Sequence, residues 1–143
     1  MKVKITRIDK TLPIPKYETK GSVGFDFIAR EETVIQPYAI ALIPGNVIVE
    51  VPKGYALIVA SRSSTPRKYG LTTPHGIGVI DRDYCGPVDE VKIQVFNFTK
   101  NPLTIPKGSR IAQGLFVRVD QMELEEVDLI KKESRGGFGS TGH

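Results

Sequence analysis

The sequence predicts an all-β sandwich or barrel, on the strength of three observations. Short runs rich in β-branched and aromatic residues recur along the chain. Turn residues separate these runs about every ten residues, which is the spacing of a sandwich or barrel. No stretch of about 12 residues keeps the 3.6-residue apolar period of an amphipathic helix. At 143 residues the chain is long enough for one hydrophobic core without a stabilising disulfide or metal.

The first half of the chain is predicted to consist of strands separated by proline and glycine. Residues 3–8 alternate as an edge strand, and Pro13 soon after them forbids regular ladder pairing. Phe25 and Phe27 share one face of the next strand, opposite Asp26. Further short β-branched runs follow at residues 33–36, 40–43, 47–51 and 55–60.

One short helix and two more strands are predicted farther along the chain. Residues 63–69 place serine and threonine ahead of Pro66, which favours one or two helical turns beginning near the proline. Residues 103–106 and 110–119 have the composition of strands and flank a Lys-Gly turn.

A β-hairpin with charged residues at its tip is predicted from Gly78 onwards. Gly78 to Ile80 would form the first arm and residues 91–98 the second, so that the two arms pair. The tip would present the carboxylate of Asp81 and the phenol of Tyr84. Glycine also lets a planar base approach the main chain closely. An ordinary charged turn is the alternative interpretation.

Residues 134–143 are rich in glycine and too polar to hold themselves in place. We therefore predict a folded domain of residues 1–133 followed by a flexible glycine-rich C-terminal lid. Arg135, Phe138 and Ser140 offer a cation, a stacking face and a hydroxyl, which suit a phosphorylated base. A frayed terminus is the alternative.

A second phosphate-binding segment is predicted at residues 61–64, Ser-Arg-Ser-Ser, where a strand ends. Its hydroxyls and the amides of the following helical turn point in the same direction, although an ordinary capping segment has the same composition. The net charge of +4 suits an anionic ligand, but the lysines are scattered. A small phosphorylated ligand is therefore expected, and nucleic acid is not.

Composition excludes several kinds of site. Cys85 is the only cysteine, so no internal disulfide can form, and with only His75 and His143 no zinc site can be built from cysteine and histidine. No apolar run approaches the roughly 18 residues of a membrane span. We expect no membrane partner and a cytoplasmic location.

Five segments resemble, in order, the five motifs of the trimeric dUTP diphosphatase (dUTPase) family, and the similarity spans essentially the whole chain. The resemblance implies a distorted β-barrel, jelly-roll-like subunit with one short helix, assembled as a homotrimer whose active sites are shared between chains. It also implies Mg²⁺-assisted attack of water on the α-phosphate of dUTP to give dUMP and diphosphate. That reaction limits uracil in DNA and supplies dUMP for dTMP synthesis. The segments are residues 22–27, 62–64, 78–86, 108–113 and 135–142.

The resemblance further implies roles for individual residues. Asp81 would activate the attacking water, Tyr84 would lie under the deoxyribose, and Asp26 would orient waters of the magnesium shell. Uracil would pair with main chain around Gly78, Val79, Ile80 and Lys92, with His75 in or beside the base pocket. The phosphates would contact Arg62, Ser63, Ser64 and Gln113. The residues closing over the ligand would be Arg135, Phe138, Gly139, Ser140 and Thr141.

The chain departs from the usual family pattern near the base pocket. His75 stands where many relatives have asparagine, and Ser61 replaces a common proline. Residues 87–89 lengthen the connection that follows the third motif. These departures affect the pocket or its support.

Two other functions compete with dUTP hydrolysis. A dCTP deaminase shares the fold and the Arg-Ser-Ser segment, but it carries a catalytic glutamate where this chain has Gln94, and glutamine cannot act as a general base. A nucleotide-gated binding or regulatory module is expected to lack Asp81 or Tyr84, and this chain keeps both.

Overall fold

The computed structural model describes residues 1–130, 133 and 136, and its regular structure is almost entirely β. One short helix, α1, covers Thr65–Tyr69. The strands are β1 Lys4–Arg7, β2 Phe25–Ile28, β3 Thr33–Ile35, β4 Ile40–Pro44, β5 Val47–Glu50, β6 Tyr55–Ser61, β7 Leu71–Thr72, β8 Gly78–Ile80, β9 Lys92–Asn97, β10 Leu103–Ile105 and β11 Arg110–Arg118.

The strands pair in small antiparallel sheets around one core. The largest sheet has the order β2-β11-β6-β8, and a second has the order β4-β9-β7. Two further pairs, β1 with β5 and β10 with β3, cover the remaining sides. The predicted distorted-barrel fold with one short helix is confirmed, and the predicted C-terminal lid lies outside the described residues.

Apolar side chains from all four sheets meet in a single buried cluster. The rings of Phe25 and Phe27 on β2 lie 5.3 Å apart between centroids and pack against Gly114 on β11. A Cβ on Gly114 would lie only 2.7 Å from ring carbons of both phenylalanines, so glycine is required at this position. This packing fixes β2 against β11, and both strands contribute residues to the candidate site.

The predicted hairpin of residues 78–98 is wrong, although both of its arms are strands. β8 pairs with β6, from Leu57 opposite Ile80 to Val59 opposite Gly78. β9 pairs instead with β4 and β7, in the sheet of order β4-β9-β7. Alternation of apolar residues tells which face of a strand is buried, but it does not identify the strand's partner. The residues between the arms therefore cross from one sheet to the other.

The short helix α1 is confirmed as one or two turns with Pro66 in its first turn. It ends at Gly70, whose φ of 64° lies in the left-handed region that favours glycine. The buried Thr65 hydroxyl donates to the carbonyl of Ile111 at 3.0 Å, which ties the helix to β11. Within the described residues, no helix has the length and apolarity needed to cross a membrane.

Candidate active site

An open cleft of about 240 Å³ lies where β2, β11 and the start of α1 meet. Three of the five motif segments contribute to it, although they are far apart in the sequence. Of the predicted site residues it brings together Asp26, Arg62, Ser63, Ser64 and Gln113. We call it the phosphate cleft, after the ligand predicted for these residues, and its lining also includes Glu18, Ser22 and Gly24.

Asp26 organises the charges of the phosphate cleft. Its carboxylate accepts hydrogen bonds from Arg62 Nε at 2.8 Å and from Arg110 Nη1 at 3.2 Å, and its side chain is only 15% exposed. Arg110 also pairs with Glu18 at 3.2 Å. A phosphate oxygen is an anionic acceptor like a carboxylate oxygen, so it can take over either arginine.

The sheet register places Gln113 beside Asp26. The two residues lie directly opposite each other on β11 and β2, so their side chains share one face of the sheet. Gln113 Nε2 donates to the carbonyl of Ser61 at 3.1 Å. Ser64 is the N-cap residue of α1, its hydroxyl makes no capping hydrogen bond, and the residue lines the cleft.

A second group of predicted site residues lies on the segment from Asp81 to Glu90, which we call the connecting turn. Asp81 and its neighbours up to Cys85 have exposed side chains. The backbone amide of Tyr84 donates to the carbonyl of Asp81 at 3.3 Å, which closes the tip. Tyr84 is 39% exposed, and its hydroxyl donates to the carbonyl of Glu90 at 3.3 Å. The tip thus presents a carboxylate and an aromatic ring to solvent.

β8 leads into the connecting turn and is the last strand of its sheet. It pairs with β6 along one edge, and no described strand pairs with its other edge. The backbone donors and acceptors on that edge are the groups with which a base could pair. A Cβ on Gly78 would lie 3.7 Å from His75 Nε2, so the imidazole of His75 lies close to Gly78, on the face of the sheet that carries the side chain of Val59. Lys92 is in the other sheet, opposite Pro44.

The phosphate cleft and the connecting turn lie toward opposite ends of β6. Ile80, just before Asp81, is opposite Leu57, whereas Arg62 follows the last residue of β6. The five residue steps from Leu57 to Arg62 span roughly 17 Å at about 3.3 Å per strand residue. Within one chain, therefore, the two groups do not form one compact site. The predicted lid residues Arg135, Phe138, Gly139, Ser140 and Thr141 lie outside the described residues.

Sequence reasoning missed three charged or polar residues of this region. Arg110 and Ser22 are inside recognised motif segments, so their positions were a usable signal. Glu18 lies in an exposed, irregular stretch before β2 and carries no pattern that marks it. Its pairing with Arg110 is visible only in the folded chain.

An all-β scaffold with an arginine- and serine-lined cleft and an open strand edge is typical of a protein that binds a phosphorylated nucleoside. Comparison with known proteins makes this specific. The model of the dUTPase family matches residues 10–142. This chain belongs to the dUTPase family.

Individual relatives agree with this assignment. The chain is 37% identical over 144 residues to a deoxyuridine 5′-triphosphate nucleotidohydrolase of Helicobacter pylori strain J99, covering 99% of this chain and 97% of the relative. The structure of this chain resembles that of a Streptococcus mutans dUTPase, with a TM-score of 0.76 and 32% identity, covering 83% of this chain and 98% of the other. It also resembles a Staphylococcus bacteriophage 80alpha dUTPase with dUPNHPP, with a TM-score of 0.86, 26% identity and 99% of each chain covered.

Proposed function

We propose that this protein hydrolyses dUTP to dUMP and diphosphate. The observation that carries the proposal is the family match over residues 10–142, because this range includes all five motif segments. The reaction removes dUTP, which limits uracil in DNA, and supplies dUMP for dTMP synthesis. Gln94, half-buried on β9, has no acid–base capacity for deamination of dCTP.

Asp81 is the residue proposed to position and activate the attacking water. A carboxylate is ionised at neutral pH and is a weak base, so it acts by orienting water and stabilising the charge that develops on it. The exposed tip of the connecting turn supports this role because a substrate can approach it directly. Tyr84 offers a flat ring three residues later, against which a 2′-hydroxyl would clash.

The base is proposed to pair with the open edge of β8. Main-chain groups of Gly78, Val79 and Ile80 present a fixed pattern of donors and acceptors, which suits uracil and excludes cytosine. His75 lies beside Gly78 and so borders this pocket. Lys92 remains a proposed contact that would have to reach the base from the neighbouring sheet.

The phosphates are proposed to bind in the phosphate cleft. Arg62 would exchange its partner Asp26 for phosphate oxygens, with Ser63, Ser64 and Gln113 donating further hydrogen bonds. The exchange keeps each cation paired before and after binding, so no charge is left desolvated and unpaired. Neutralising negative charge on the phosphates is the main contribution that such residues make to hydrolysis.

Mg²⁺ is the proposed cofactor, held chiefly by the substrate. The described residues contain no cluster of three or more His, Cys, Asp or Glu able to cage a metal ion. Mg²⁺ commonly binds substrate phosphates and keeps several waters, so a cleft with only the carboxylates of Asp26 and Glu18 suits contact through water. When bound, the ion would neutralise phosphate charge.

A homotrimer with active sites shared between chains is the proposed assembly. The separation of Arg62 and Asp81 along β6 supports it, because another chain's connecting turn could complete the cleft. Large apolar side chains on the surface of the single chain also support an assembly, because contact with other chains would bury them. Val34, Ile40, Leu42 and Val79 are each more than half exposed in the single chain.

The proposal is tested by incubating the protein with dUTP, dCTP, dTTP and UTP in the presence of Mg²⁺ and identifying the products. We expect dUMP and diphosphate from dUTP and little turnover of the other three. Release of ammonia from dCTP, or no product from dUTP, would contradict the proposal. Sedimentation of the same sample measures whether the protein is a trimer.

The predicted lid is tested by deleting residues 134–143. Ordering a glycine-rich segment costs about 1 kcal/mol or more per residue, which a bound triphosphate can offset through stacking and charge-assisted hydrogen bonds. We expect the deletion to abolish most turnover while assembly and melting temperature stay unchanged. Full activity of the shortened protein would rule out the lid. Protease cleavage at Arg135 should slow with a non-hydrolysable dUTP analogue plus Mg²⁺, but not with dUMP.

A further inference from the structure

The buried carboxylate of Glu90, at the base of the connecting turn, has no role in the proposed chemistry. Glu90 is only 7% exposed. Arg30 Nε and Nη2 donate to its two carboxylate oxygens at 2.8 and 3.1 Å. The backbone amide of Asn46 donates to the same carboxylate at 2.8 Å. Both oxygens are therefore paired, which makes the buried charge tolerable.

These contacts join three segments of the fold. Arg30 follows β2, and its backbone amide donates to the carbonyl of Pro44 at the end of β4. Asn46 lies between β4 and β5 with a φ of 67°, and its side chain exchanges two hydrogen bonds with the backbone of Asp9. Hydrogen bonding with Glu90 raises the pKa of Arg30, as expected for a tightly held ion pair. Glu90 is thus fixed to a rigid part of the scaffold.

The backbone of the same residue connects this anchor to the tip of the turn. The carbonyl of Glu90 accepts the hydroxyl of Tyr84 at 3.3 Å. The amide of Gly86 donates to Asp89 Oδ2 at 2.7 Å, and the amide of Asp89 donates to the carbonyl of Gly86 at 3.1 Å. The stretch from Gly86 to Glu90 is therefore a closed turn. Its C-terminal end is held by the side chain of Glu90 together with the backbone hydrogen bonds of Val91 to Val47 and Gly45.

We propose that Glu90 is a positioning residue for the active-site tip. Its side chain fixes the backbone of residue 90, whose carbonyl holds the hydroxyl of Tyr84 and so sets the angle of the ring. The ring angle in turn determines how strictly a 2′-hydroxyl is excluded. This inference rests on the proposed dUTP hydrolysis for its kinetic readout. Residues 87–89, which the family resemblance predicts to lengthen the connection, lie within this closed turn.

The kinetic test is a double-mutant cycle between Glu90→Gln and Tyr84→Phe. Each variant is assayed for kcat/KM with dUTP and with UTP, and the ratio of the two values measures sugar discrimination. Each single variant should lower that ratio by roughly fivefold, the usual effect of losing one hydrogen bond. The double variant should show no further loss, because both changes break the same connection. An unchanged ratio in Glu90→Gln, or multiplied losses in the double variant, would overturn the proposal.

Cys85 provides a second readout that does not depend on catalysis. It is the only cysteine in the sequence, and it is exposed between Tyr84 and the closed turn. Without nucleotide, Glu90→Gln should speed the reaction of this thiol with a disulfide reagent, since a released tip more often breaks the contact in which the thiol donates to the carbonyl of Arg82 at 3.5 Å. An unchanged rate would overturn the proposal even if the protein proved inactive on dUTP. Inactivity of the parent protein would contradict only the proposed function.

Two further variants separate positioning from general loss of stability. Ile105→Val removes one buried methyl group on β10, away from the turn, and should lower the melting temperature without changing discrimination or thiol reactivity. Arg30→Lys keeps the charge opposite Glu90 but loses the two-point contact. It should shift both readouts in the same direction as Glu90→Gln, and it decides the question if Glu90→Gln does not fold. An effect of Ile105→Val equal to that of Glu90→Gln would overturn the proposal.

Discussion

The phosphate cleft and the connecting turn differ in what holds their functional side chains. In the cleft, side chains hold one another: Arg62 and Arg110 both bind the carboxylate of Asp26. In the turn, the functional side chains are exposed, and order comes from the backbone closures and the buried anchor beneath them. The cleft is therefore organised by ion pairs between its own functional side chains, and the turn by main-chain contacts together with a buried ion pair of residues that are not themselves functional.

This difference has a physical reason. Arginines that await an anionic ligand need a temporary partner, because an unpaired charge in a partly buried cleft is costly. Asp26 can fill that role until the proposed phosphate ligand binds. A water-positioning carboxylate has to stay accessible, so its neighbours cannot bury it. The same chain thus uses exchangeable ion pairs at one end of β6 and an anchored loop at the other.

The largest expected effect comes from Asp81→Asn in the connecting turn. The substitution keeps the size and polarity of an exposed side chain, so binding of a dUTP analogue should be retained. Turnover of dUTP should fall by roughly 10²-fold or more, as for loss of a general base. Comparison of kcat with the dissociation constant of the analogue checks this. Near-normal turnover would remove Asp81 from the mechanism.

A smaller loss is expected from Arg62→Ala in the phosphate cleft. Removal of charge-assisted hydrogen bonds should lower kcat/KM for dUTP by about 10- to 100-fold. Arg62→Lys should recover only part of this loss, since lysine lacks the planar fork of donors. Arg67→Ala on the exposed side of α1 is the matched control for removal of one positive charge. Equal losses in Arg62→Ala and the control would mean that only net charge matters.

The next effect concerns specificity at the tip of the turn. Tyr84→Ala removes the ring proposed to exclude the 2′-hydroxyl. The preference for dUTP over UTP, expected to be about 10²-fold or more in the parent protein, should fall toward unity. Arg62→Ala should leave the preference intact, because phosphates are common to both nucleotides. If the alanine variant still rejects UTP as well as the parent does, the steric explanation is wrong.

The smallest effect is expected in the scaffold beneath the turn, at Asp9. Hydrogen bonds from Lys107, at 2.6 Å, and from Thr11 hold the pKa of Asp9 well below its usual range. A lowered pKa adds stability that is fully present above the ordinary value of about 3.8 and is lost as the pH falls toward the folded-state pKa. Asp9→Asn should lower the melting temperature by a few degrees at pH 7 and by less below pH 3.8.

The control for this scaffold prediction is Glu50→Gln, at the exposed ion pair of Glu50 with Lys4. Surface pairs contribute little, so its melting temperature should stay close to that of the parent at every pH. A pH-independent difference between Asp9→Asn and the parent would show that charge on Asp9 is not responsible. All melting curves need the same protein concentration, because assembly also shifts the melting temperature.

Local sequence patterns were enough to predict much of the fold, and the family resemblance predicted much of the cleft. The formation of β2, which starts at Phe25, and of α1, which has Pro66 in its first turn, depends mainly on residues close by in the sequence. Both elements can therefore be recognised from short stretches of sequence. The resemblance to the dUTPase motifs, rather than local pattern, pointed to Asp26, Arg62 and Gln113, which the fold brings together. The order of the segments along the chain is sufficient for these assignments because each segment folds much as its own residues prefer.

Pairings between distant segments were decided only by the tertiary structure. Nothing in the alternation of Gly78 to Ile80 shows that this strand pairs with β6 rather than with β9, because side-chain period specifies a face and not a partner. The anchoring of Glu90 by Arg30, 60 residues away, is equally invisible in the sequence. Such contacts form only when the whole core has packed. Packing buries the charged groups, and a buried charge is costly unless it is paired.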